Sequence, residues 1–387
     1  MRISIASGKG GTGKTTIAVN LAIAAYYRMA GESARGLTGE CSRGSENQME
    51  TRVQVLDCDV EEPNCHIFLK PEIEEKQEVT VPVPEVDEDK CTYCGACGDV
   101  CAFHAIMPGK HMVLVFPELC HGCGACSLLC PSKAIVEVPR LVGILESGYV
   151  DVGKLAKTGL HSSHIDSGNN DLSGRDRSLS SGDLSRSNDL LDDPESAAGY
   201  SVNRIRFTHG ILNPGEALAP PVISQVKRTA ENDSLVIIDT PPGTSCSMVE
   251  SVRDTDFCLL VTEPTPFGLH DLELAVDTVG KLGVPCGVVT NRCDLGDLRV
   301  KEFCADKGIP VLLEIPLDRK IAELYAKGIP LVIGSEDYLQ KFWDLLKATS
   351  KLAQSAASQV ARGNSKAQPK NNPWSRSYLD TKEEGGL

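Results

Sequence analysis

The stretch SGKGGTGKTT at residues 7–16 decides the architecture. Gly8, Gly13, Lys14 and Thr15 satisfy the spacing G-x4-G-K-[ST]. The stretch lies between an apolar run, RISIA at residues 2–6, and an Ala-rich run that predicts a helix over residues 14–29. A strand, a glycine-rich loop and a helix in that order form a cradle for phosphate. Glycines let backbone N–H groups close around phosphate oxygens, and the helix N-terminus adds its positive dipole end. The candidate nucleotide-binding residues of the loop are Gly8, Gly10, Gly11, Thr12, Gly13, Lys14, Thr15 and Thr16. Lys14 would neutralise the β and γ phosphates, and the Thr15 hydroxyl would hold Mg²⁺.

The rest of the chain supports one α/β framework. After residue 52 and again after residue 204, short apolar strands alternate with helical stretches. Strands are expected over residues 53–56, 235–238, 257–261, 286–290 and 311–315, and helices over residues 268–282, 298–307 and 319–327. That rhythm predicts a mostly parallel sheet covered by helices on both faces. At 387 residues, 41% hydrophobic and 24% charged, the composition is globular. A formal net charge of −14 argues against a nucleic-acid surface, which needs clustered Lys and Arg. Met1 leads straight into the first strand with no basic and apolar leader, which predicts no signal peptide and a cytoplasmic protein.

Sixteen cysteines in such a chain do not read as structural disulfides. Eight lie in two runs, KCTYCGACGDVCAF at residues 90–103 and CHGCGACSLLCP at residues 120–131. Both carry C-x2-C-x2-C-x3-C, and the second repeats the first at an offset of 29 residues, the signature of a two-cluster ferredoxin. The fourth cysteine of each run then serves the other cluster. Cys91, Cys94, Cys97 and Cys130 would hold one [4Fe–4S] cluster, and Cys120, Cys123, Cys126 and Cys101 the other. Zinc ribbons also use C-x2-C pairs, but usually with a longer gap between them. The eight scattered cysteines (Cys41, Cys58, Cys65, Cys246, Cys258, Cys286, Cys293 and Cys304) are expected to be small buried hydrophobes.

With Lys9, the loop reads KGGTGKT and resembles the deviant phosphate loop of the MinD/ParA superfamily of ATPases, relatives of the nitrogenase iron protein. The resemblance implies an ATP-dependent homodimer in which Lys9 reaches the nucleotide of the partner subunit. VLDCDVEEPN at residues 55–64 resembles the family's switch I. Asp59 then orients the attacking water, and Asp57 lies near Mg²⁺. LVIIDTPPGTS resembles switch II, with Asp239 holding a Mg²⁺-bound water. Asn291 in NRCD would contact adenine. N-[KR]-x-D also resembles the guanine-reading motif of GTPases, and the reading favours ATP because the other motifs side with the ATPases. IPLDR at residues 315–319 resembles the loop covering the base. The whole pattern is similar to MinD-type ATPases with an inserted two-cluster ferredoxin domain, often labelled cobyrinic acid a,c-diamide synthase-like. Amidotransfer is not implied, since no segment remains for a glutaminase.

The expected organisation is an ATPase part over residues 1–85, with a polar insert at 31–51. A ferredoxin domain follows over 86–138, then a return to the ATPase over 139–160. Residues 161–198 form a disordered Ser/Asp-rich insert, 199–360 the second ATPase part and 361–387 a disordered tail. Three functions compete: ATP-gated electron transfer to a redox partner, maturation or delivery of a metal cluster to a partner protein, and MinD-like positioning. The third would use Leu339, Phe342, Trp343 and Leu346 as a membrane stripe. Packing against the sheet is the commoner use of such a stripe, so membrane contact is not expected.

Overall fold

The structure, a computed structural model, describes residues 1–36, 52–160 and 204–363. Among them lie eleven strands: β1 (Arg2–Ala6), β2 (Arg52–Asp57), β3 (Glu72–Val86), β4 (Ile106–Pro108), β5 (Val113–Val115), β6 (Ile135–Asp151), β7 (Arg204–Leu212), β8 (Ser234–Asp239), β9 (Phe257–Thr262), β10 (Cys286–Asn291) and β11 (Val311–Ile315). Nine form one sheet in the order β11-β10-β9-β1-β8-β2-β7-β6-β3, and β4 and β5 form a separate hairpin. From β11 to β7 the strands run parallel. β6 is antiparallel to β7, and β3 to β6. This is the expected mostly parallel α/β sheet.

Its central strands read as unbroken apolar runs because both faces are covered. SLVIID in β8 and FCLLVT in β9 are buried at every position. Helices Lys14–Gly36 and Glu336–Gly363 pack on one face, against Ile5, Val55 and Ile237. Helices Ala219–Arg228 and Pro266–Lys281 cover the other. The stripe weighed as a membrane anchor belongs to this core: Phe342 and Leu346 are buried, and Leu339 and Trp343 pack against them. No helix among the described residues is long and apolar enough to cross a membrane.

The first helix runs past residue 29 to Gly36, into the segment expected to be a polar insert. A glycine such as Gly31 costs a helix about 1 kcal/mol relative to alanine, too little to stop it when Glu32, Ala34 and Arg35 follow. The remainder of that insert, at 37–51, lies outside the described residues, as do the insert at 161–198 and the tail from 364.

β3 and β6 make a long antiparallel ribbon, paired from Glu72↔Tyr149 to Val86↔Ile135. β7 pairs with β6 only from Gly143 to Asp151. Beyond Gly143 the ribbon leaves the sheet as a two-stranded arm, and the cysteine-rich segment fills the connection at its tip. Residues 86 and 138 both lie on this ribbon. Pro82 and Pro139 face each other across it, where neither can donate a ladder hydrogen bond.

The base of the ribbon depends on close backbone approach at Gly148, where a Cβ would meet the Glu72 carbonyl oxygen at 1.9 Å. Gly148→Ala is expected to destabilise the chain by about 1–3 kcal/mol, as overpacking does. A denaturant midpoint lowered accordingly would bear this out, and an unchanged midpoint would contradict it.

Candidate nucleotide site and cluster cradles

The phosphate loop joins β1 to helix Lys14–Gly36 at the C-terminal edge of the parallel strands. Gly11 and Gly13 have φ of +76° and +98°. At Gly13 a side chain is also excluded sterically, because a Cβ would lie 2.7 Å from Asn291 Nδ2. That amide donates to the Thr12 carbonyl at 2.9 Å. Asn291, expected at the base, here braces the back of the loop from the end of β10. Asp294, from the motif shared with GTPases, accepts the Leu317 N–H at 2.7 Å and ties two loops together.

Behind the loop stand two carboxylates. Asp57 ends β2 and Asp239 ends β8, and they are register partners. Both are fully buried. Asp57 accepts the backbone N–H groups of Asp59, Asn64 and Cys65 at 3.0–3.1 Å. Asp239 Oδ2 accepts the Thr15 hydroxyl at 2.6 Å and the Cys65 thiol at 3.4 Å. Asp239 Oδ1 is buried with no partner among the described residues. Burial raises both carboxyls, and at Asp57 the neighbouring Asp239 charge adds to it and takes the group to about 8. Burial and the Asp239 charge push Asp59 up to about 7, with Lys14 acting against them. Burial lowers the Lys14 ammonium, while Asp239, Asp59 and Asp57 pull it back up.

The structure thus brings Lys14, Thr15, Asp57, Asp59 and Asp239 to one point. The thiol of Cys65 lies within 4.8 Å of both buried carboxylates, a placement that sequence reasoning missed. Nothing in the local sequence marks it, since its role comes from the turn at residues 58–64. Lys9, expected to act on a partner's nucleotide, lies 3.6 Å from Glu263 of its own chain. Glu263 also holds Arg292 at 2.8 Å.

The eight clustered cysteines gather at two cavities. One is lined by Cys91, Cys94, Cys97 and Cys130, and the other by Cys101, Cys120, Cys123 and Cys126. Each set takes three thiols from one run and the fourth from the other. The backbone repeats with the sequence. Left-handed residues Tyr93, Gly95 and His104 recur 29 positions later as Gly122, Gly124 and Lys133. Ala105 N–H donates to Cys101 Sγ at 3.3 Å, and Ala134 N–H to Cys130 Sγ at the same distance. Burial opposes ionisation of the Cys130 thiol, but bonds from Ser132 and Ala134 outweigh it and lower the thiol. Four soft sulfur donors around each cavity, with N–H groups aimed at the sulfurs, suit an iron–sulfur cluster.

Among the scattered cysteines, Cys58, Cys65, Cys258, Cys286 and Cys304 are buried as expected, and Cys293 is half-buried. Cys246 is exposed, which corrects the expectation. It opens helix Cys246–Val252, whose core-facing positions are taken by Met248 and Val252. Cys41 lies outside the described residues.

Two family descriptions match the chain: "CobQ/CobB/MinD/ParA nucleotide binding domain" at residues 3–30 and "4Fe-4S dicluster domain" at residues 74–135. An uncharacterized protein of Methanocaldococcus jannaschii is 26% identical over 342 residues, 85% of this chain and 90% of that protein. An iron-sulfur cluster carrier protein of Aquifex aeolicus is 27% identical over 141 residues, 32% of this chain and 39% of that protein. The solved structure of the septum site-determining protein MinD of Pyrococcus horikoshii, complexed with Mg-ADP, is similar at 17% identity. The match covers 92% of this chain and 98% of that one, at a TM-score of 0.45.

The Asn291 brace gives a direct test. Asn291→Ala removes one hydrogen bond to the loop and is expected to weaken nucleotide binding by about 0.5–1.5 kcal/mol, a few-fold to roughly tenfold in Kd. Titration calorimetry checks this, and an unaltered Kd would show that the bond does not hold the loop.

Proposed function

We propose that this chain, a MinD/ParA-superfamily P-loop protein with an inserted 4Fe–4S domain, is a dimeric ATP hydrolase whose nucleotide state gates electron transfer from two [4Fe–4S] clusters to a partner protein. One observation carries the reading. The ribbon that leads to the cysteine cradles is built into the same sheet whose strand ends form the nucleotide site, with only β7 between β6 and β2. A rigid shared sheet is the arrangement expected if one site is to sense the other.

The nucleotide site fits the roles assigned to it. Lys14 carries the charge toward the phosphates, held next to three carboxylates that keep it oriented. Thr15, Asp57 and Asp239 would hold Mg²⁺ or its water, and the unpartnered Asp239 Oδ1 is the atom such a ligand would satisfy. Bound Mg²⁺ supplies charge neutralisation at the transferring phosphoryl group. Asp59 sits on the loop beyond β2, where it would position water. Asn291 would reach the base once its hold on Thr12 is released. Lys9 would act across a dimer, a reading supported by its partial exposure beside Glu263.

The homodimer is supported by the same edge of the sheet. Phe267 stands in the first turn of helix Pro266–Lys281 after β9, Leu295, Leu298 and Leu317 stand on the segments following β10 and β11, and each is 50–78% exposed. Large apolar side chains grouped beside a polar site suit an interface with a second copy. Bound clusters supply one-electron transfer. The chain's part is to cradle the two sets of thiols in series and to present them on an arm that a redox or metallocofactor partner can approach.

Delivery of a metal cluster is the second reading. Its specific support is the exposed Cys246, directly after the switch II segment, together with relatives named as cluster carriers.

Reduced, cluster-loaded protein is expected to pass electrons to an acceptor at different rates with ATP and with ADP. Identical rates would sink the gating proposal, and loss of iron to an apo-acceptor under the same conditions would favour delivery. Cys101→Ser provides a separate check on the crossed ligand sets. Iron content is expected to fall from about eight to about four per chain. The surviving EPR signal should be that of the cluster held by Cys91, Cys94, Cys97 and Cys130.

A further inference from the structure

Five ionisable residues stand in one register line across five neighbouring strands. Asp239 on β8 is opposite Asp57 on β2. Asp57 is opposite His209 on β7. His209 is opposite Glu146 on β6, and Glu146 is opposite Lys76 on β3. Register partners on adjacent strands project to the same face, with strands about 4.8 Å apart. The line therefore runs from the phosphate site to the outer strand of the ribbon on one face of the sheet.

The contacts close at the ribbon end. His209 Nε2 lies 3.0 Å from Glu146 Oε2, and Lys76 Nζ 2.7 Å from Glu146 Oε1. Side-chain exposure is 5% for His209 and 15% for Glu146, so this pair is not a solvated surface contact of little worth. Burial holds the His209 imidazole below its usual range, with Glu146 acting against it. A neutral ring donating from Nε2 to Glu146 leaves Nδ1 as an acceptor. That atom is buried and has no partner among the described residues.

The ring also meets Phe207, tilted with centroids 5.1 Å apart, and His66, edge-on at 5.4 Å, whose own Nδ1 is buried with no partner among the described residues. His66 follows Cys65, whose N–H binds Asp57 and whose thiol binds Asp239. His209 thus touches two segments at once. One is the segment that leads from Asp59 to His66, and the other is the strand that leads to the cysteine cradles. From Glu146 to Ile135 β6 is continuous, a span of about 35–40 Å at a strand's rise. No linker separates Glu146 from the cradles, although the ladder with β3 shifts register once on the way, between Val79↔Gly143 and Thr80↔Leu141.

We propose that His209 is a positioning residue that transmits the state of the nucleotide site to the ribbon. A displacement of segment 58–66 alters the seat of His66 against the His209 ring, and the His209–Glu146 hydrogen bond moves β6. The inference rests on the reading above that nucleotide and clusters are coupled.

Hydrogen exchange on the full, cluster-loaded chain tests it, comparing a non-hydrolysable ATP analogue with ADP, each with Mg²⁺. In the wild type, amides of β3 and β6 are expected to differ several-fold in protection between the two nucleotides. His209→Ala should abolish that difference while cluster absorbance and nucleotide affinity are kept. His209→Gln, whose amide N–H can still donate to Glu146, should restore it. Glu146→Ala breaks the same bond from the ribbon side and should reproduce the loss even if His209→Ala folds poorly. A wild-type difference that persists in both alanine variants overturns the role of His209 and leaves coupling intact. A wild type that shows no difference removes the coupling reading, and this inference with it.

Discussion

Two buried carboxylates set the terms for the functional half of this protein. Asp57 and Asp239 end adjacent strands in register, with no water to screen them. Like charges in a dry site raise each other's pKa and resist ionisation. The fold answers with donors: three backbone N–H groups on Asp57, a hydroxyl and a thiol on Asp239, and the Lys14 ammonium close by. Those donors dictate local structure. The chain after β2 must turn back so that Asn64 and Cys65 reach Asp57. The first helix must begin where Thr15 faces Asp239. One oxygen, Asp239 Oδ1, has no partner among the described residues.

The same constraint explains how an inserted domain can be more than a passenger. A flexible linker at residue 70 would have separated the cysteine-rich segment from the switch residues. A ribbon of fifteen and seventeen residues joins them instead. At its base it is hydrogen-bonded to β7, and β7 to β2. Ser147 and Thr208 bond across the β6–β7 seam at 3.2 Å next to the His209–Glu146 pair. The arm and the nucleotide site therefore share one rigid element.

Legibility followed the range of the interactions. The phosphate loop and the cysteine runs were readable because their chemistry is local: glycine positions, ligand spacing and a 29-residue repeat. The structure repeats that offset in its left-handed residues and in the N–H groups aimed at Cys101 and Cys130. The ribbon was not readable. Pro82, Pro84 and Pro139 look like breakers in a one-dimensional reading, yet two of them face each other in a two-stranded arm with no further neighbour to require their N–H groups. The first half of β3, EIEEKQE at the base of the ribbon, is charged and largely exposed, with none of the alternation that marks a half-buried strand. Cys65, Cys246 and His209 were equally opaque. Three unremarkable residues turned out to lie beside a buried carboxylate, on an exposed helix start and between His66 and Glu146 of the ribbon.

By itself the sequence determined the class of sheet, the glycine-rich loop between strand and helix, and two interleaved sets of four cysteines. Each of these depends on residues within a few positions of one another or on an exact repeat. Only the tertiary structure decided which strand ends meet, that Asp239, Asp57, His209, Glu146 and Lys76 share one line, and that the cysteine-rich segment stands on a two-stranded arm of the sheet. Those outcomes depend on strand order and register, which arise from pairings between segments as far apart in the chain as Ile3 and Phe257. No local pattern records such a pairing, because a strand's side chains specify which face is buried and leave open which neighbour covers its edge.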